Sequence, residues 1–492
     1  MKKLVSLLAG FALVLGLSGC STVTPVNDLY AQEANWSLCD TNKEFQCATI
    51  KVPLDWGKPT GKTIDIALSR KFTNHAIGSL LLNPGGPGGS GIDFLINNYD
   101  NIGTETLRDT YTLVSFDPRG VGKSTKVTCY DAVGTDHFLY DTIDAEIGTA
   151  KDLELSRAEV KKFDAACKQN SGEVLGFVDT VSAAKDMDVI RAVLKSDKLN
   201  YLGFSYGTFL GTTYATLFPE KVGRFVLDGA IDPRVTDSQQ TLNQLKGFDL
   251  ALNNYLRDCV KNNADCPFNG TLAAAKVQVQ TFLRTMENKT LPTKDGRKLN
   301  IASASTGLIM ALYSDSYWQY LSQAFDEVFN KKSGTTFMLL ADFYNDRDNT
   351  GHYASNSLEA NIAVNCLDSR SSAKPEDMAK QNQKLLAVSP ILGRYWQNGA
   401  ILCEQWPYPV SKHPDSYAAK GAPTIMVIGT TGDPATPYQQ AVSLAHEVLA
   451  KGFLVTFKGE GHTAYGRSNE CVSKAVDNFL IDGAFPAKEP VC

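Results

Sequence analysis

Several common signals are missing from this chain of 492 residues. It has only six histidines, and its eleven cysteines include no Cys-x-x-C pair. The first scarcity narrows any search for a general base. The second argues against zinc ribbons and thioredoxin-like redox sites. No block of one charge sign occurs and the net charge is −5, so nothing offers a footprint for nucleic acid. Internal repeats and low-complexity segments are absent as well. The longest apolar run, residues 4–17, is too short and too close to the N-terminus for a comfortable membrane span.

What remains is the composition of an ordinary globular protein, 43% hydrophobic and 21% charged, and long enough for one large core with an insertion or for two domains. Lys2 and Lys3 ahead of the apolar run suit a signal peptide over residues 1–19. The ending Leu17-Ser18-Gly19-Cys20 resembles the bacterial lipobox, which implies cleavage before Cys20 and lipidation of its thiol. The expectation is an extracytoplasmic, membrane-anchored bacterial lipoprotein with a polar tether over residues 20–38. Ten cysteines then remain, an even number in an exported chain. Pairing neighbours gives Cys39–Cys47, Cys129–Cys167, Cys259–Cys266, Cys366–Cys403 and Cys471–Cys492.

Short apolar runs at residues 64–68, 79–82, 112–116, 201–204, 225–228, 424–429 and 454–457 read as buried strands. The middle ones alternate with helical patterns such as residues 183–194, which predicts an α/β fold: a mostly parallel sheet covered by helices on both faces. Between residues 236 and 405 strand-like runs give way to helix-like stretches at 242–256, 273–286 and 317–329. With no linker rich in glycine or proline at either end, this segment is expected to be an inserted helical cap. The core would comprise residues 39–235 and 406–492.

Ligand sites in such sheets lie beyond the carboxyl ends of the strands, and the informative motifs fall there. Gly203-Phe204-Ser205-Tyr206-Gly207 reads as strand, sharp turn, helix. The tight turn lifts the Ser205 hydroxyl out of the sheet, and the glycines avoid collision with the neighbouring strand and helix. A serine nucleophile needs a base, an orienting carboxylate and an oxyanion hole. Among the histidines, His462 alone sits in a glycine-flanked loop after a late strand, while His446 falls in a helix-like run. Asp433, in Gly432-Asp433-Pro434-Ala435-Thr436-Pro437, is the preferred carboxylate, with Asp228 at the end of the preceding strand as its rival. Tyr206 would supply one oxyanion N–H. The second donor is expected at Gly86, in Asn83-Pro84-Gly85-Gly86-Pro87-Gly88-Gly89-Ser90-Gly91, a loop that lacks the Gly-Lys-Ser/Thr ending of a phosphate cradle.

These motifs, with Phe116-Asp117-Pro118-Arg119-Gly120-Val121-Gly122-Lys123-Ser124, together resemble the α/β-hydrolase serine aminopeptidases of the prolyl-iminopeptidase type, over residues 40–492. The nearer resemblance is to the secreted tripeptidyl-aminopeptidase-like branch. It implies Ser205, Asp433 and His462 as catalytic residues, Gly86 and Tyr206 as the oxyanion hole, a structural Arg119, and no metal or organic cofactor. Pro84, where the prolyl-iminopeptidase pattern has histidine, and the larger cap with disulfides favour that branch. An aminopeptidase must also bind the substrate's ammonium, and Asp368 and Glu404 near the Cys366 and Cys403 pair are the candidates. The expected partners are peptides with a free N-terminus and, through the lipid, a membrane. The protein itself is expected to be a monomer. A carboxylic ester hydrolase with the same triad and a non-catalytic peptide-binding lipoprotein are the alternatives.

Overall fold

In the computed structural model, which describes residues 26–492, nine strands form one sheet. They are β1 (Ser37–Leu38), β2 (Gln46–Pro53), β3 (Thr63–Lys71), β4 (Ser79–Asn83), β5 (Thr112–Phe116), β6 (Leu199–Phe204) and β7 (Val222–Asp228), followed by two strands late in the chain. A two-residue ladder, β8 (Leu291–Pro292) with β9 (Lys298–Leu299), stands apart, and β10 (Ile425–Gly432) and β11 (Gly452–Glu460) complete the main sheet. The order is β1-β2-β3-β5-β4-β6-β7-β10-β11. Pairing is antiparallel from β1 to β5 and parallel from β5 onward.

All seven expected strands are present; Thr112–Phe116 has the expected bounds, and the others differ from them by one to a few residues. β1 and β2 form no continuous apolar run: β1 is two exposed residues, and exposed Thr49 and Lys51 alternate with the buried positions of β2. The parallel strands show why the inner runs were legible. Leu81, Tyr201, Leu227 and Val427 face one apolar cluster, while Leu80, Leu82, Leu202, Val226 and Met426 face another. Strand alternation with both faces buried yields a continuous hydrophobic run. Helices Thr180–Val193 and Tyr206–Leu217 cover the first face, helices Gly91–Asn98 and Glu470–Asp482 the second. This is the doubly covered sheet of an α/β hydrolase.

Between β7 and β10 the chain is helical from Asp237 to Cys403, apart from the small ladder. The first helix, Asp237–Asn262, starts where the Thr236 hydroxyl accepts the Gln239 N–H. Its apolar face (Leu245, Phe248, Leu252) packs with Phe282, Phe325 and Phe337 into a separate core. A second helical piece was not expected. Residues Ala132–Tyr140 and Ala150–Ser171, in the β5–β6 crossover, reach this insertion through Tyr140 Oη to Asp342 at 2.8 Å and Arg347 to Asp136 at 2.7 Å.

The five expected disulfides are all formed. The expected signal peptide and Cys20 lie outside the described residues. The expected tether is too long at its C-terminal end. Residues Val26–Ala31 are helical with Leu29 buried, and β1 pairs with β2 beside the Cys39–Cys47 bridge. Leu29, Tyr30 and Trp36 supply apolar anchors that are too sparse to show periodicity.

Candidate active site

Ser205 occupies the turn between β6 and helix Tyr206–Leu217 with φ 56° and ψ −124°. A non-glycine residue in that region is strained, as a nucleophile elbow requires. Its N–H is anchored on the Asp228 carbonyl at 2.9 Å. The flanking glycines are required by space. A Cβ on Gly203 would lie 2.5 Å from the Gly207 carbonyl oxygen, and one on Gly207 2.8 Å from that of Asn83. The Ser205 side chain is half-buried and makes no hydrogen bond among the described residues.

His462 and Asp433 are brought together. Imidazole Nδ1 lies 2.9 Å from both carboxylate oxygens, with Asp433 fully buried and His462 14% exposed. Asp433 also accepts the N–H groups of Ala435 (2.9 Å), Thr436 (2.8 Å) and Thr463 (3.2 Å) and the Thr436 hydroxyl (3.1 Å). Thr436 Oγ1 stands 3.3 Å from His462 Nδ1 as well. A carboxylate with this many donors is fixed in place and keeps Nδ1 as the protonated nitrogen, leaving Nε2 as the base. Thr436, part of the Asp433 motif, thus bridges the carboxylate and the imidazole. Its signal is the Asp-x-x-Thr spacing of an Asx turn.

The rival carboxylate does something else. Asp228 accepts the backbone N–H groups of Ala464 (3.0 Å) and Tyr465 (2.7 Å), so it holds the loop that carries His462. Burial raises its carboxyl to about 6 despite these bonds and the nearby His462 and Arg467. Arg467 clasps the same loop through the carbonyls of His462 and Thr463, both at 2.9 Å.

The glycine-rich loop after β4 lies against the elbow. A Cβ on Gly85 would sit 2.9 Å from Ser205 Cβ and 3.1 Å from the Tyr206 nitrogen. The next residue, Gly86, and Tyr206 both line the main cavity. Tyr206 is the first residue of its helix, where N–H groups have no intrahelical partner, and Gly86 N–H donates to no acceptor among the described residues. Asp117 fixes this loop by accepting the Ser90 hydroxyl at 2.7 Å and the Ile92 N–H at 3.1 Å. Arg119 is structural. It pairs with buried Asp186 through two bonds of 2.7 Å and donates to the carbonyls of Pro53, Leu54 and Phe177.

A cavity of about 1250 Å³ lies beside the elbow, lined by Gly86 and Tyr206 and walled by the core and the helical insertion; Ser205 and His462 are not among its lining residues. Asp368 lines it. Its carboxylate accepts the Thr180 N–H at 2.9 Å and also the Thr180 hydroxyl, and burial pushes it up to about 7. Glu404 departs from expectation. It is ion-paired with Arg157 at 2.8 Å and lies in a separate surface hollow, so its charge is already satisfied away from Ser205. Among the described residues no three His, Cys, Asp or Glu side chains gather as a metal would require.

Residues 389–492 match the family described as TAP-like protein. The chain is 35% identical over 507 residues to "Serine protease Hip1" of Mycobacterium tuberculosis, covering 98% of this chain and 96% of that protein. It is 31% identical over 472 residues to "Tripeptidyl aminopeptidase" of Streptomyces lividans, covering 93% and 85%. The chain belongs to the TAP-like family of α/β hydrolases. A further relative of this TAP-like serine hydrolase, "Carboxylesterase B" of M. tuberculosis, is 35% identical over 517 residues and covers 100% of this chain and 98% of its own. Among solved structures, a proline iminopeptidase from Mycobacterium smegmatis aligns over 88% of this chain and 98% of its own, at 14% identity and a TM-score of 0.35.

Proposed function

We propose that this TAP-like hydrolase is an extracytoplasmic, lipid-anchored exopeptidase that releases tripeptides from the free N-terminus of peptides. His462 Nε2 takes the Ser205 hydroxyl proton as Oγ attacks the scissile carbonyl. The Gly86 and Tyr206 amides hold the oxyanion, and Asp433 supports the imidazolium. The imidazolium then gives its proton to the departing amine. Water, deprotonated by His462, cleaves the acyl-enzyme and leaves the tripeptide with a new carboxylate.

The observation that carries the length is the helix Ser357–Asp368. Asn361 Nδ2 donates to the Pro87 carbonyl in the oxyanion loop at 3.0 Å, and Asp368 follows seven residues later on the same helix. At 1.5 Å per residue the two positions are about 10 Å apart. An extended chain covers about 3.3–3.6 Å per residue, so a carboxylate at that distance meets the ammonium of the third residue from the scissile bond. Asp368 is accordingly the ammonium anchor.

The test is hydrolysis of Ala-Ala-Pro-aminocoumarin, its acetylated twin and an acyl ester by the wild type, Ser205→Ala and Asp368→Asn. The expected result is cleavage of the free-amine peptide alone, absent in Ser205→Ala and weakened through KM in Asp368→Asn. Equal or better cleavage of the ester would make the protein an esterase, the activity in the name of one relative. The anchor is tested by lipid labelling of the full chain against Cys20→Ala.

A further inference from the structure

The cap carries an exposed apolar surface. Helix Thr335–Tyr344 leaves Leu339 59%, Phe343 61% and Tyr344 45% exposed, and the adjoining helix Trp318–Asp326 leaves Tyr320 46% exposed. Leu339 and Phe343, four residues apart, share one face. Exposed aromatic side chains gathered this densely mark a contact surface rather than scattered apolar residues.

One of these side chains, Tyr344, reaches the site. The Tyr313 ring meets His462 edge-on at 5.7 Å, Tyr344 lies 6.0 Å from Tyr313, and Phe343 pairs with Tyr317 at 6.1 Å. Tyr313 and Tyr344 line the cavity. The aromatic path therefore runs from the imidazole through Tyr313 to exposed Tyr344, with Phe343 beside it turned to Tyr317. Chemistry fixes which part of a substrate can follow it. His462 must protonate the leaving nitrogen, so the leaving segment emerges on the imidazole side. The acyl segment runs the other way, along the helix that ends at Asp368.

We propose that Tyr344, Phe343 and Leu339 form a subsite for apolar residues of the leaving segment, taking the second and third residues beyond the scissile bond. The inference rests on the peptidase reading above. It makes the protein a trimmer of peptides whose shortened product begins with a hydrophobic stretch.

Cleavage of Ala-Ala-Pro-Ala-Phe-Leu and of Ala-Ala-Pro-Ala-Ser-Ser, followed by mass spectrometry on the purified full chain, tests it. Burial of one aromatic side chain predicts a kcat/KM ratio of about tenfold in favour of the first peptide, expressed in KM. The ratio, taken within each variant so that partial loss of folding cancels, should fall to about one in Phe343→Ser and Leu339→Ser and persist in Phe343→Leu. A wild-type ratio near one, with Ala-Ala-Pro-aminocoumarin still cleaved, overturns the subsite and leaves the peptidase reading standing. Cleavage of the ester alone overturns that reading itself. If Phe343→Ser keeps the ratio but loses binding of the unlipidated chain to phosphatidylglycerol vesicles, the surface faces lipid and the subsite is refuted.

Discussion

Gly247 lies far from Ser205 in sequence, on the first helix of the insertion, yet its replacement by alanine should damage catalysis. A Cβ there would stand 2.3 Å from the Pro434 carbonyl oxygen, where ordinary contact begins near 3.4 Å, so roughly 1 Å must be given up. Both groups are main chain or fixed to it, and neither can swing aside. Pro434 directly follows Asp433, whose carboxylate holds His462 Nδ1 at 2.9 Å. Displacement of a catalytic group by about 1 Å costs on the order of 100-fold in rate, or about 2.7 kcal/mol of transition-state stabilisation. Two effects on stability oppose each other. Alanine favours the helix by about 1 kcal/mol, and overpacking costs about 1–3 kcal/mol. Melting temperature should therefore change little or fall modestly while kcat drops and KM holds. Steady-state kinetics on the free-amine peptide, with the rate of Ser205 labelling by a fluorophosphonate, reads this directly. A kcat within threefold of wild type at an unchanged melting temperature would refute the claim that the insertion sets the geometry of the acid–base pair.

Asp368 gives a pH signature. Its carboxyl, raised to about 7 by burial, is neutral below that pH and anionic above it. The kcat/KM for a free-amine peptide should rise as pH climbs through 7 and fall near 8 as the substrate's α-amine loses its proton; Asp368→Asn should flatten the acidic limb. Because this pKa is raised above the ordinary carboxylate value, the group withdraws folding stability as pH rises from about 4 to about 7, which melting curves of wild type and Asp368→Asn should show. Asp228→Ala orphans the Ala464 and Tyr465 N–H groups, each worth about 1–3 kcal/mol, and should lower kcat at least tenfold with KM nearly unchanged. Arg119→Met strands the buried Asp186 charge and should cost about 3–5 kcal/mol by denaturant unfolding, while Arg119→Met/Asp186→Leu should recover much of it.

Which parts of the site could be read in the sequence follows from where their constraints originate. Ser205, Asp433 and His462 each sit at a strand end in a turn with a local requirement. Gly203 and Gly207 make way for the elbow, Asp433 closes an Asx turn onto Ala435 and Thr436, and Gly461 with φ 91° opens the His462 loop. A local requirement leaves a local pattern, and the buried parallel strands leave one too. The assignment between Asp228 and Asp433 was a tertiary question, and only the fold shows that one carries the imidazole and the other its loop.

The insertion leaves no such trace, because its influence on the site arrives through contacts between distant segments. The Tyr313 carbonyl accepts the His462 N–H at 2.7 Å, Asn254 donates to Glu460 at 2.9 Å, and Gly247 abuts Pro434. In each pair one residue lies in or beside a catalytic loop and the other in, or directly after, a cap helix whose periodicity reports only its own core. These contacts fall on the loops of both the base and its carboxylate, so the cap is built into the acid–base pair rather than laid over it. A cap swing large enough to admit substrate on that side would have to break the Tyr313 bond and release His462.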